Sequence, residues 1–335
     1  MNSIKISVII PVYNAEKTIE ECLDSIVNQT VFSDLEVLIV DDCSTDSGPI
    51  KIMEYEVKYP EQIIFIRLEK NGGPGHARNV AMEYARGEYI GYMDSDDAAY
   101  PQMYERLYDE ALRTGADVVD GGFYNQKDDL AILYTSDDLA GRLDAGKRSG
   151  LIIAGGYIWS KIFRREFLVD KDICFRNEYV LEDMDFLAEI YAKADSIANV
   201  KEILYVYRDS EGSLSKTIAV DKYIHSLTSA MAAVYSRVAC VEDYEGIREA
   251  VEYTLIQLYS YTVNAAMNAV YEGKNSAESI IPVLSALRDM RFKFVSAGYD
   301  NKYVEDKISR KDIEIMKEND RSPEDVLKLL RKNTI

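Results

Sequence analysis

The stretch Ile4-Lys5-Ile6-Ser7-Val8-Ile9-Ile10-Pro11-Val12-Tyr13-Asn14 decides the fold. It is an apolar run of strand length that stops at proline and asparagine, so it reads as a buried strand ending in a turn. Behind it, Ile19, Leu23, Ile26 and Val27 recur at helical spacing after Thr18. That change of period predicts an amphipathic helix over residues 15–28, lying back on the strand.

The same alternation repeats three times. Leu35–Val40 is followed by Asp41-Asp42-Cys43-Ser44-Thr45-Asp46, Ile63–Leu68 by Asn71-Gly72-Gly73-Pro74-Gly75, and Tyr89–Met93 by Asp94-Ser95-Asp96-Asp97. Helical stretches near 46–59, 74–86 and 101–114 separate these strands. Strands alternating with helices of this length predict a parallel sheet with right-handed crossovers, and in such sheets ligands bind beyond the carboxyl ends of the strands. Each polar cluster lies at such an end.

Past residue 115 the expected strands are 117–124, 131–135, Tyr157–Phe163, 196–200 and 203–208, with a helix from Glu182 to about Ala194. From about 219 the spacing of Ile224, Leu227, Met231, Val234 and Val238, and of Val251, Leu255, Leu258 and Tyr259, makes the last third mostly helical. The chain therefore divides near 217 into an α/β unit, 1–217, and a helical region, 218–335.

With 335 residues and 47% hydrophobic side chains the chain can bury a large core. Its net charge is −19, with −17 before residue 219 and −2 after. Nucleic acid is repelled by such a surface, and an anionic ligand in the acidic part needs a cation as mediator. The four cysteines show no CxxC spacing and read as reduced thiols; two histidines make no metal cluster. No apolar run reaches the length of a membrane span and no leader pattern opens the chain, which predicts a cytoplasmic protein.

Two carboxylates one residue apart, Asp94 and Asp96, at a sheet's carboxyl edge suit a hard divalent cation; the bland alternative is a solvated acidic loop. The glycines of 72–75, with Arg78 in the helix behind them, suit a phosphate or simply a turn. This loop has neither Walker A spacing nor the third glycine of GxGxxG, so a P-loop nucleotidase or a nicotinamide enzyme is poorly supported.

Taken together, Ser7–Asn14, Val40–Asp46, Asn71-Gly72-Gly73 with Ala77-Arg78-Asn79, Gly87-Glu88-Tyr89-Ile90 and Asp94-Ser95-Asp96 resemble the family 2 glycosyltransferases of the GT-A fold. The resemblance continues through Trp159–Arg165, Glu182–Phe186 and Tyr207-Arg208 with Ser213-Leu214-Ser215, and covers residues 4–216. It departs where Cys43 replaces the family's usual glycine and where Ser47-Gly48 reverses the commoner order.

The resemblance implies an inverting transfer of a sugar from a nucleoside diphosphate donor, a UDP-sugar above all. The acceptor would be a hydroxyl of a cell-surface polysaccharide, glycolipid or wall polymer. Asp96 would bridge Mn²⁺ or Mg²⁺ to the diphosphate, with Asp94 on the ribose or donor sugar. Asp42 would accept from the base beside Pro11 and Tyr13, and Asp41, Asn71, Arg78 and Ser95 would complete the donor pocket. Arg208 would contact the diphosphate or make an exposed salt bridge, near Ser213 and Ser215 of a closing loop. Asp183 matches the general base and Glu182 an orienting or acceptor contact. On the acceptor side, Trp159 and Tyr157 would form a platform for a sugar ring or belong to the core, with Lys161 beside them. The helical region could pack a homo-oligomer, bind polymer or rest on the inner membrane face. A non-catalytic sugar-nucleotide or glycan-binding protein of the same fold is the alternative; a nucleotidyltransferase is disfavoured, because residues 11–18 hold only Lys17 as a cation.

Overall fold

A computed structural model describes residues 4–178, 180–208, 219–296 and 298–332. The N-terminal strands form as the apolar runs dictate: β1 (Ile6–Val12), β2 (Leu35–Asp41), β3 (Ile63–Arg67) and β4 (Tyr89–Tyr92). They pair in parallel in the order β3-β2-β1-β4, with Val12 opposite Asp41. The helices between them are α1 (Ile19–Val27), α2 (Gly48–Lys58) and α3 (Pro74–Tyr84), with α4 (Met103–Thr114) after β4 and a two-residue strand β5 (Ala98–Ala99).

The sheet is mixed rather than wholly parallel. After β6 (Val118–Asn125), β7 (Leu130–Ile132), β8 (Gly141–Arg142) and α5 (Ala145–Ala154), strand β9 (Lys161–Arg164) enters antiparallel between β4 and β6. It is shorter than its apolar stretch, because Gly155 and Gly156 take positive φ (67° and 114°) and the chain turns before Lys161. Then α6 (Arg165–Asp170) and α7 (Glu182–Lys193) lead to β10 (Ser196–Tyr207), which pairs parallel with β6. Where two short strands are expected there is one, with register shifts between Asn199 and Tyr205 absorbing the polar interruption.

Alternate side chains of β1 and β2 feed two cores. Ile6, Val8, Ile10 and Val37 pack under α1, α2 and α4; Ile9, Leu38 and Val40 pack under α3 and α7. The second core runs on without interruption into the C-terminal helices α8 (Val220–Val238), α9 (Tyr244–Tyr271) and α10 (Ala277–Phe294), through Leu227, Val251, Leu255 and Leu284. Helix α9 is apolar on nearly all sides and is the centre of this bundle. Each such leucine removed from water contributes about 1.5–3 kcal/mol. Helices α11 (Val304–Lys307), α12 (Arg310–Arg321) and α13 (Pro323–Lys332) complete it. The expected division near 217, with Ser213 and Ser215, lies outside the described residues. No helix among those described is long and apolar enough to cross a membrane.

The turn after β2 places Cys43 at φ 65°, in the left-handed region where a Cβ costs about 1–2 kcal/mol. Cys43→Gly should therefore stabilise the protein by about 0.5–1 kcal/mol, the relieved strain exceeding the extra chain entropy of glycine. Urea unfolding measures this; a loss of stability would show that the half-buried thiol contributes more than its backbone costs.

Candidate functional site

The carboxyl ends of β1, β2 and β4 and the start of α7 converge on one cleft. Asp41 is wholly buried and serves the turn: its carboxylate accepts from Ser44 N at 3.1 and 3.3 Å and stands 3.2 Å from Arg67 Nε. Asp42 staples the glycine loop, its two oxygens accepting from Gly72 N and Gly73 N at 2.8 Å each. Burial raises its pKa, while those two N–H groups pull the other way. Gly73 has φ 85° and hands the chain to Pro74, the first residue of α3. Asn14, itself at φ 50°, latches the first two loops by accepting from Thr45 N at 2.8 Å. Pro11 is buried beneath this rim, Asn71 is half-buried, and Tyr13 is exposed beside it.

Arg78 is the hub. It projects from α3 into the protein, 4% exposed, over the ring of Phe175 at 5.3 Å. Nη2 donates to Asp94 Oδ1 at 2.9 Å, Nη1 donates to Glu182 Oε1, and Nε has no partner. Burial works against its charge, but Glu182 and Asp94 outweigh burial and drive its pKa up. Arg78, expected to line the nucleotide pocket, is buried and joins the acidic motif after β4 to the acidic start of α7.

In the Asp94–Asp97 turn the first three residues are half-buried and Asp97 is enclosed. Asp97 accepts from Tyr205 Oη and from Arg208 N, both at 2.8 Å, and burial together with Asp94 and Asp96 pushes it up to about 8. Ser95 sits between Asp94 and Asp96. The negative charge crowded here is what a divalent cation neutralises, and the half-exposed Asp94 and Asp96 are hard oxygen donors of the right kind. Among the described residues no group of three or more protein ligands is assembled.

Asp183 stands in the first turn of α7, within electrostatic range of Glu182, Arg78 and Asp94. Burial and the neighbouring Glu182 push its carboxyl up to about 7, against the pull of Arg78. It is delivered there by Leu181, whose φ of 62° is unusual for a leucine and marks a strained turn. Tyr157 lies within electrostatic range of Asp183 and is the exposed end of an aromatic stack. Its ring is 4.6 Å from Trp159, which is 4.4 Å from Tyr205, both nearly parallel. Trp159 is itself 4% exposed, so Tyr157 rather than Trp159 presents a ring face. Lys161 is not brought into the cleft: it is fully buried, 3.0 Å from Asp120 Oδ1 and donating to the Tyr157 carbonyl. The side chain of Arg208 pairs with Glu21 across the rim.

Three residues that sequence reasoning passed over organise the site. Asp97 ties the end of β10 to the acidic turn. Asn79 clamps the segment before α7, donating to Phe175 O and accepting from Phe175 N, both at 2.9 Å. At Gly75 a Cβ would lie 2.0 Å from Arg176 O, so only glycine lets α3 approach that segment. Asn79 and Gly75 were visible in the motif, but their partners lie about a hundred residues away.

Residues 7–171 match the family described as Glycosyl transferase family 2. The uncharacterized glycosyltransferase EpsJ of Bacillus subtilis is 33% identical over 71% of this chain and 73% of its own length. The poly(ribitol-phosphate) beta-glucosyltransferase of Bacillus spizizenii is 31% identical over 69% of this chain and 37% of its own length. Among solved structures, S. aureus TarS 1-349 in complex with UDP-GlcNAc superposes with a TM-score of 0.74 at 23% identity, covering 98% of this chain and 91% of that one. That likeness is one of fold, and it extends through the C-terminal helices.

Arg78→Met would leave the buried Glu182 without its counter-charge, beside the half-exposed Asp94. Breaking a buried pair by removing one partner costs about 3–5 kcal/mol, and urea unfolding of the variant should register a loss of that order. A change below about 1 kcal/mol would show that the two acids are solvated well enough to do without it.

Proposed function

Because the chain belongs to glycosyl transferase family 2, we propose that it transfers a sugar from a UDP-sugar to a hydroxyl of a surface polysaccharide, glycolipid or wall polymer, with inversion. The observation that carries this reading is the pairing of one arginine with two acids of different tasks. Arg78 fixes Asp94 on the donor side and Glu182 next to Asp183 on the acceptor side.

Inversion by one displacement needs a base on the face opposite the leaving group. Asp183 serves as that base: a carboxyl raised to about 7 is a far better proton acceptor than a free aspartate. Glu182, paired with Arg78, orients the turn. Tyr13, Asp42 and Asn71 line the place of the base and ribose, and the exposed face of Tyr157 offers an apolar surface to the acceptor sugar. Asp96, with Asp94 beside it, would hold Mn²⁺ or Mg²⁺ together with the donor's diphosphate, where a bound cation neutralises the charge that builds on the leaving group. Poly(ribitol-phosphate) is the acceptor named for one relative, which supports a polymer acceptor here.

Titration of UDP, GDP, CDP and TDP with Mn²⁺, Mg²⁺ or EDTA tests the donor class. One nucleotide should stabilise the protein only with metal, by about 2.7 kcal/mol at a hundred times its Kd. Equal affinity in EDTA would remove the metal assignment. Asp183→Asn should lower turnover at least 10³-fold and leave UDP affinity within about twofold; undiminished turnover would end its role as base. In the parent protein kcat/KM should fall as pH drops through about 7, because Asp183 is protonated below that value and cannot accept. A profile flat to pH 5 would contradict this.

A further inference from the structure

The C-terminal helices reach the site through one buried network. Asp185, two residues past Asp183 on α7, exposes none of its surface. Its Oδ1 accepts from Arg176 Nε at 2.6 Å, and Arg237 Nε of α8 stands 3.3 Å from its Oδ2. The same Arg176 guanidinium donates from Nη2 to the Leu181 carbonyl at 2.8 Å and from Nη1 to Ser229 Oγ of α8 at 3.0 Å. Arg237 also donates to the Cys174 carbonyl at 2.7 Å, so α8 holds the segment before α7 at both ends.

The carbonyl gripped by Arg176 belongs to the left-handed leucine whose turn presents Glu182 and Asp183. Such a conformation costs about 1–2 kcal/mol and persists only where the surroundings over-determine it. The surroundings here are the Arg176 guanidinium on the Leu181 carbonyl, and Gly75 of α3 packed against the Arg176 carbonyl and the Glu182 side chain. A buried ion pair adds little net stability over an apolar pair of the same shape, so geometry is the better account of why Asp185 is there.

We propose that Arg176 and Asp185 are positioning residues for Asp183, and that Ser229 and Arg237 brace them, which makes helix α8 part of the catalytic geometry. The inference rests on Asp183 being the base. A displacement of about 1 Å in a reacting group costs on the order of 10²-fold in rate.

In the full chain, Arg176→Met should lower kcat about 10²-fold while donor KM and UDP affinity stay within about twofold, a split that general destabilisation does not produce. Ser229→Ala removes only the hydrogen bond from α8 and should lower kcat about 5-fold with the same constancy of KM. Parental kcat in both variants would overturn the proposal, as would a loss carried by KM alone. If thermal melting shows that Arg176→Met does not fold, Ser229→Ala decides. Asp183→Asn is assayed alongside: if it abolishes turnover while both positioning variants keep parental kcat, the positioning role alone falls. If Asp183→Asn turns over normally, the base assignment falls and this inference falls with it.

Discussion

A single guanidinium closed to water sets the geometry of this protein. Arg78 cannot be buried without compensation, and the two acids that compensate it come from distant places in the chain, Asp94 after β4 and Glu182 at the start of α7. The charge therefore pins together three elements that the sheet alone would leave free to slide: α3, the acidic turn and the α7 turn. What lies on the two flanks of that pin is a pair of carboxylates with different surroundings. Asp94, Asp96 and Asp183 are all half-buried, but Asp94 is paired with Arg78 while burial and Glu182 raise Asp183, a difference of surroundings that suits one side to a cation and the other to a proton.

Strain gathers around the same place. Asn14, Cys43 and Leu181 all take positive φ, and each sits where a regular element gives way to a loop of the cleft. Asparagine tolerates that conformation, whereas cysteine and leucine do so at a cost met by contacts elsewhere. The excess of negative charge follows the same logic. Burial and the neighbouring Asp94 and Asp96 raise the carboxyl of Asp97, the mark of negative charge crowded into one turn.

The helical last third is not an appendage. Its apolar residues share a continuous core with the face of the sheet that carries Ile9 and Val40, and its polar residues Ser229 and Arg237 reach the α7 turn. The fold likeness to TarS 1-349 runs through these helices as well.

By itself the sequence determined the elements and where they end. Strand-length apolar runs, helical spacing and turn residues place β1 to β4 and α1 to α4 within a few residues, because these signals are local and period-bound. They also put the acidic clusters Asp41-Asp42 and Asp94–Asp97 at strands' carboxyl ends, and the motif order identifies the family. Only the tertiary structure decided what the side chains face. The antiparallel entry of β9, the enclosure of Lys161 and Trp159, and the burial of Arg78 between Asp94 and Glu182 depend on partners far along the chain. Burial and charge pairing are properties of assembled neighbours, and a one-dimensional pattern carries the chemistry of Asp185 and Asp183 alike without saying that one braces the turn on which the other stands.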